Sequence, residues 1–509
     1  MNIGSCLAIN ARRHPEKWAV TFEDKEYTYN QLNQVVNQLA HGLLNLGVKK
    51  GEKVALLLKN SDYFVISYFA AAKIGAVVVP LNFRLMAREL NYILEQSDSV
   101  VVLYDQEFDD IIYEAKQDVN SIRQVIAVAS PNRPEHLSIK EVLSENIGEP
   151  EVEVQEEDDL HILYTSGTTG YPKGALFDHK RVLNLVIASI GTTGLASFEK
   201  LLHVAPLFHS AQLGLFLIPG ICVGASHVIH KEFNPVEVLK AIEKYEITQY
   251  FGVPTMYNFL LHVPNAKEYN LSSIKKCSYG AAPMAPELVK KSMELFQTDQ
   301  FYNLCGLSEG GPAGIFLTPE DHKENLGASG KDPTLLTEAR VVNEQGQDVV
   351  PGEVGEFILR GETIMKEYYR KGKETQEALR EGWLFTGDLA VKDEHGFIKL
   401  VDRKKDMIIS GGENVYSIEV ENCLYQHPDV MEAAIIGIPD TTWGEIVTAV
   451  VVLHKHKADE EGLISFLRQH LAGYKVPRKI LFVDQLPRNA SGKIMKYKLR
   501  EQFNEVKER

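Results

Sequence analysis

Cysteine is scarce in this chain: five residues in 509, at Cys6, Cys222, Cys277, Cys305 and Cys423, with no CxxC pair. That excludes a disulfide framework and a cysteine zinc site, and it fits a reducing cytosol. Positive charge is not in surplus either. The 54 Lys and Arg against 69 Asp and Glu give a net charge of −15, which excludes nucleic-acid binding by bulk phosphate neutralisation. A nucleotide ligand stays open, because backbone N–H groups can build a local cradle. Long apolar runs are missing as well. From Leu201 to Ile229 there is no Asp, Glu, Lys or Arg, but Pro206, Pro219, several glycines, His203, His209 and His227 interrupt the stretch. It reads as a buried strand–helix–strand, not a membrane span. The opening MNIGSCLAIN lacks a basic region leading into an apolar core. Residue 2 is Asn rather than Gly, and the final KER is no peroxisomal address. A cytoplasmic protein without a transmembrane segment is expected.

What is present is an ordinary globular composition, 44% hydrophobic and 24% charged, so wholesale disorder is excluded. At roughly 100–200 residues per domain the length predicts two to four folding units. Through about residue 310, short β-branched runs (Val54–Leu58, Ala76–Val79, Leu160–Thr165, His227–Ile229, Ile247–Phe251) alternate with helix-length amphipathic segments (Asp62–Lys73, His179–Ile190, Pro235–Tyr245, Pro286–Leu295). That alternation predicts an α/β fold of βαβ units with largely parallel sheets. From about residue 330 the texture becomes short strands with turns at Asn343–Gly346, Pro351-Gly352 and Glu394–Gly396, which predicts a small β-rich subdomain over 330–402. After the charge cluster Val401–Asp406, about 100 residues mix helix (Ile418–Tyr425, Glu461–His470) with strand (Ala433–Ile438, Val447–Leu453). The expected organisation is a large N-terminal domain, 1–402, and a small mobile α+β C-terminal domain, 403–509.

The strongest chemical signal is Tyr164-Thr-Ser-Gly-Thr-Thr-Gly-Tyr-Pro-Lys-Gly174. It follows the strand Leu160–Tyr164 and precedes a helix expected to start near Asp178. Hydroxyls and glycines let the backbone approach an anion closely, and Lys173 adds positive charge. The Lys is flanked by Pro172 and Gly174 rather than followed by Ser or Thr, so this is not a Walker A loop. Ser/Thr/Gly clusters are ordinarily plain loops; eleven constrained positions disfavour that reading here.

The loop resembles the signature of the adenylate-forming enzymes: acyl- and aryl-CoA synthetases, peptide-synthetase adenylation domains and beetle luciferases. The resemblance covers essentially the whole chain and is closest to bacterial fatty acyl-CoA synthetases. Further segments recur in the family's order: Pro206–His209, Gly280–Pro283, Cys305–Glu309, Thr386–Asp388, Asp402–Asp406 and Pro487–Lys493. The implied substrates are a small carboxylic acid, ATP and CoA, with Mg²⁺ as cofactor; a homodimer and transient membrane-surface contact are left open.

By this resemblance Thr165, Ser166, Gly167, Thr168, Thr169, Gly170 and Lys173 cradle the phosphates, and Ser308 donates to the α-phosphate. Glu309 holds Mg²⁺ together with the Thr165 hydroxyl, a carboxylate being the hard ligand that Mg²⁺ prefers beside phosphates. Gly280, Ala281 and Ala282 let adenine and the acyl carboxylate lie against backbone. Asp388 accepts both ribose hydroxyls, which suits a carboxylate facing a vicinal diol, and Arg403 assists. The sequence departs from the pattern at Cys305, where most members place an adenine-stacking aromatic; Tyr302 is a candidate substitute. His209 is expected between acyl pocket and phosphates. Amino-acid-activating members carry Asp there, so His209 points to an acid without an α-amino group.

In the small domain, Lys493 matches the adenylating lysine, an ammonium with the reach to meet charge developing at phosphorus. Gly411 and Gly412 match the loop that approaches CoA in the thioester-forming orientation, and Lys405 matches the hinge. The mechanism implied is ligation in two steps, acyl-adenylate first and thioester second, with domain rotation between them. Apolar segments around Phe208, Leu213–Phe216 and Tyr250–Val253, with Gly280 and Gly306 leaving depth, predict an apolar acyl pocket that includes His209 and Tyr250. A medium- or long-chain fatty acid is the first expectation and a hydroxycinnamate- or benzoate-type aryl acid the second. A non-catalytic nucleotide binder on the same fold is the contrasting class; retention of Glu309, Asp388 and Lys493 speaks against it.

Overall fold

The structure, a computed structural model, describes residues 1–165, 171–454, 458–488 and 494–504. The expected alternation is present. Among the described residues, a nine-stranded and an eight-stranded sheet carry parallel centres. In one, Phe301–Gly306, Lys276–Gly280, Gln249–Gly252, Lys200–His203, Ser226–Ile229 and Trp18–Phe22 run parallel in that order. In the other, Asp159–Thr165, Val77–Pro80, Lys53–Leu57, Ser99–Tyr104 and Gln124–Ala127 do the same. Strands buried on both faces read as unbroken apolar runs rather than alternating ones, which is why Val77–Val79 are fully buried.

Helices fill the space between the two sheets. Asp62–Lys73 starts where the Ser61 side chain accepts from the Phe64 N–H, satisfying a donor the helix cannot. Its Phe64, Val65, Ile66 and Phe69 share one apolar cluster with Val20 and Phe22 of the first sheet and Val54, Leu56 and Val78 of the second. The uncharged stretch is the strand Lys200–His203, a helical segment from Ser210 to Val223, and the strand Ser226–Ile229. Among the described residues no helix is long and apolar enough to cross a membrane.

One strand goes beyond the sequence reading. Residues 173–178 are a strand, paired antiparallel with Asp159–Thr165 in the register Thr165↔Lys173 and Tyr164↔Gly174. The phosphate-type loop therefore joins two strands of a hairpin, and the helix begins at His179, capped by Asp178, where it was expected. Gly174 permits the pairing: a Cβ there would lie 2.5 Å from Ile162 Cγ2.

A third sheet of antiparallel strands, chiefly Thr337–Val342, Val354–Gly361, Trp383–Lys392 and Ile398–Arg403, follows. Its turns fall at Gly346, Gly352 and Gly396, all at positive φ, where glycine carries no Cβ penalty. Residues 404–407 are a short turn. Beyond it a fourth sheet (Ile408–Ser410, Glu413–Val415, Val430–Asp440, Gly444–Leu453, Lys479–Phe482) packs with helices Ser417–Leu424, Glu460–His470 and Lys496–Asn504.

Candidate active site

Parallel strands end together, and their C-terminal ends open onto a cleft. Here the cleft has a volume of about 1700 Å³ and lies between the large sheets and the small C-terminal unit. Its large-domain wall includes Thr165, Phe208, Gly280, Ala281, Ala282 and Gly306, and its lower rim includes Asp388, Arg403 and Lys405. Ala281 has φ +65, a left-handed conformation that a side chain disfavours, and it lies at the cleft surface.

Thr165 and Glu309, 144 residues apart in sequence, meet: the Thr165 hydroxyl donates to Glu309 Oε1 at 3.3 Å. The same oxygen accepts from the Tyr368 hydroxyl at 2.8 Å. Burial and the neighbouring carboxylate push the Tyr368 phenol far above its ordinary range, so it stays a donor. Lys173 Nζ stands 5.1 Å from the centre of the Tyr368 ring. A carboxylate beside a hydroxyl is the protein's usual share of a Mg²⁺ site, the remaining ligands being phosphate and water. Among the described residues no cluster of three or more His, Cys, Asp or Glu forms an all-protein cage. The donors at Thr165 and Glu309 thus fit a cation held jointly with a polyphosphate.

Ser308 Oγ and Ser210 Oγ are 2.8 Å apart, tying the segment after Phe301–Gly306 to the helix start beside His209. The His209 side chain accepts from the Ala211 N–H at 3.3 Å through Nδ1, which leaves the neutral ring's proton on Nε2. His209 is half-buried, and its neighbour Phe208 lines the cleft. At the rim, Arg403 Nε donates to Asp388 Oδ1 at 2.8 Å, across paired strands in the register Asp388↔Arg403. Immediately before Arg403, buried Asp402 accepts from the Ser417 N–H at 2.6 Å and the Ser417 hydroxyl at 3.0 Å. Burial pushes the Asp402 carboxyl up and the Lys405 ammonium down.

Two expected pocket residues sit elsewhere. Tyr250 is fully buried, packed between Tyr257 and Phe296, because alternation along Gln249–Gly252 turns it away from the cleft. Tyr302 packs against the apolar cluster of Phe216, Phe251 and Leu304, so it does not replace the aromatic absent at Cys305. Gly280 and Gly306 do line the cleft, but their missing side chains serve strand packing: a Cβ would fall 2.2 Å from Leu304 O at Gly280 and 2.1 Å from Pro312 O at Gly306. Ser166, Gly167, Thr168, Thr169, Gly170 and Lys493 lie outside the described residues. Of the residues flanking the last, Arg488, Ile494 and Met495 line the cleft. Gly411 and Gly412 form the tip of a hairpin, at φ +61 and +86, with Gly411 N–H donating to Trp443 O. Sequence reasoning missed Ser210 and Tyr368. Their signal is spatial, since each acts on a residue far along the chain.

Comparison with known proteins decides what this cleft belongs to. Residues 7–369 match the AMP-binding enzyme family and 419–493 its C-terminal domain. The chain belongs to the adenylate-forming, AMP-binding enzyme family. A feruloyl-CoA synthase of Amycolatopsis sp is 37% identical over 98% of this chain and 99% of its own length. The long-chain-fatty-acid–CoA ligase FadD13 of Mycobacterium tuberculosis is 34% identical over 99% of both. Among solved structures, the o-succinylbenzoate CoA synthetase of Bacillus subtilis, in complex with its acyl-adenylate, superposes with a TM-score of 0.87 at 31% identity, covering 98% of this chain and 97% of that one. This membership supports an acid–CoA ligase, and ATP and CoA fit the family as substrates.

Proposed function

We propose that the ligase activates an apolar monocarboxylic acid lacking an α-amino group, through an acyl-adenylate formed with release of pyrophosphate. The observation that carries this is the Thr165–Glu309 pair fixed by Tyr368 beside the cleft. Bound there, Mg²⁺ would neutralise charge on the transferring phosphates. Thr165 and Glu309 hold it, Ser308 donates toward the α-phosphate, and Asp388 with Arg403 orients the ribose. Lys493 reaches in from the small domain to meet the charge that grows as the carboxylate attacks phosphorus. The small domain then turns about Lys405, withdrawing Lys493 and bringing Gly411 and Gly412 to the cleft. CoA sulfur attacks the mixed anhydride, and AMP leaves. The position of Arg488 and Ile494 on the cleft, with Gly411 and Gly412 away from it, supports reading the present orientation as the adenylating one.

Two acyl classes meet this description. An apolar strip along the cleft, including Val253, Leu261, Ala266, Leu288 and Leu295, supports a medium- or long-chain fatty acid. The 37% identity to a feruloyl-CoA synthase over nearly the whole chain supports an aryl acid of the hydroxycinnamate type. Pyrophosphate release measured over alkanoates of increasing length and over cinnamates and benzoates, each with and without CoA, tests the proposal. Release that needs ATP and Mg²⁺ but occurs with none of these acids would overturn it.

A further inference from the structure

The turn that carries His209 belongs to one large sheet and is held by a side chain from the other. Strand pairing along Lys200–His203 ends at His203. The chain then passes through Ala205-Pro-Leu-Phe-His209, where Pro206 has no N–H to continue a ladder. Ala205 and Leu207 are buried, so the Ala205 carbonyl and the Leu207 N–H need partners. Asn60 supplies both. Its Nδ2 donates to Ala205 O at 2.9 Å, and its Oδ1 accepts from the Leu207 N–H at 2.8 Å. A primary amide offers a donor and an acceptor side by side, and at 2% exposure this one meets no competition from water.

Asn60 stands on a fixed base. It follows strand Lys53–Leu57 and directly precedes Ser61, the cap of helix Asp62–Lys73. The Lys59 N–H donates to Asp105 Oδ2 at 2.7 Å. The same sheet touches the turn a second time: Phe208, which lines the cleft, packs edge-on against Phe83, with ring centres 5.3 Å apart. The His209 N–H donates back to Pro206 O at 3.1 Å, so the imidazole is carried by the stretch that Asn60 clamps. We propose that Asn60 is a positioning residue for acid activation, its amide setting where the His209 imidazole stands in the cleft. The proposed nucleotide anchors Thr165, Glu309, Asp388 and Arg403 lie on other elements, so the effect falls on the acid and spares ATP binding. The inference rests on the ligase reading, with His209 beside the acyl carboxylate.

The test is pyrophosphate release, with whichever of decanoate and 4-hydroxycinnamate the wild type accepts, in wild type, N60D, N60S, H209A and N60D/H209A. Tm is measured alongside, with and without MgATP. N60D keeps the acceptor for Leu207 but turns a carboxylate oxygen toward the Ala205 carbonyl; the serine hydroxyl is too short to span both groups. Each should lower kcat/KM for the acid by about tenfold, the worth of one well-made hydrogen bond. KM for ATP should stay within about twofold of wild type, and the MgATP-induced rise in Tm should persist. On the H209A background N60D should cost less than about twofold more, because the group it positions is gone. Equal losses for ATP and acid, full additivity with H209A, unchanged acid kinetics, or loss of the folded enzyme in both Asn60 variants would overturn the inference. Wild type that releases pyrophosphate with neither acid marks a different failure, that of the ligase reading, and this inference falls with it.

Discussion

Replacing Tyr368 with Phe removes one oxygen and leaves the ring's packing in place. That oxygen donates at 2.8 Å to Glu309 Oε1, whereas the Thr165 hydroxyl reaches the same atom at 3.3 Å, so the tyrosine makes the tighter of the two bonds. A hydrogen bond to a charged group contributes roughly 1.5–3 kcal/mol, equivalent to roughly ten- to hundredfold in an equilibrium constant. Without it Glu309 is free to turn away from the cation. The free Mg²⁺ needed for half-maximal pyrophosphate release should rise by about tenfold or more, with kcat/KM for ATP falling in step. Tm should change little, because Phe fills the same space. Glu309→Gln keeps an acceptor for both hydroxyls but removes the charge, and Tyr368→Phe on that background should add little. An unchanged Mg²⁺ profile in Tyr368→Phe, or fully additive losses in the double variant, would refute the assignment of Tyr368 as the residue that positions Glu309.

Asp388→Asn should raise KM for ATP by about tenfold with a smaller change in kcat, since it weakens ribose binding and the 2.8 Å contact from Arg403; an effect confined to kcat would argue against a ribose role. Lys493→Ala should slow pyrophosphate release by roughly 10²–10³-fold, yet form thioester from chemically prepared acyl-adenylate and CoA at close to the wild-type rate. Lys405→Pro should do the reverse by stiffening the hinge; equal damage to both half-reactions in Lys493→Ala would rule out alternation of the small domain. Gly306→Ala should destabilise by about 1–3 kcal/mol through overpacking, because its Cβ would sit 2.1 Å from Pro312 O; a Tm equal to wild type would show that the strand Gly314–Leu317 yields freely.

Much of the architecture was legible because buried parallel strands and capped amphipathic helices write themselves locally. Pro235–Tyr245, with Asn234 before it and Pro at its first position, is bounded as the pattern predicts. The residues 173–178 were not legible as a strand, since their pairing partner Asp159–Thr165 returns from the far side of a glycine-rich loop. Tyr250 looked like a pocket aromatic because composition does not say which face of a strand meets the cleft. Glu309, Thr165, Asp388 and Arg403 were legible through family resemblance, which encodes spatial proximity in ordered motifs. Ser210 and Tyr368 carry no local mark, and their roles exist only once distant segments are folded together.

The Asp402–Ser417 contact has a consequence for timing. Asp402 belongs to the last strand of the large unit, and Ser417 opens the first helix of the small one. Any turn about Lys405 that carries Ser417 away forfeits two bonds to a buried carboxylate, roughly 1.5–3 kcal/mol each. Unaided, the turned form would then be held by about one molecule in a hundred or fewer. If the small domain turns about Lys405 as proposed, the free enzyme would spend its waiting time ready to adenylate, not to acylate. For the second half-reaction to proceed briskly, CoA must favour the turned form by a factor at least that large. Weakening this latch with Ser417→Ala would shorten the pause after adenylation, while making the enzyme more prone to turn before an adenylate exists.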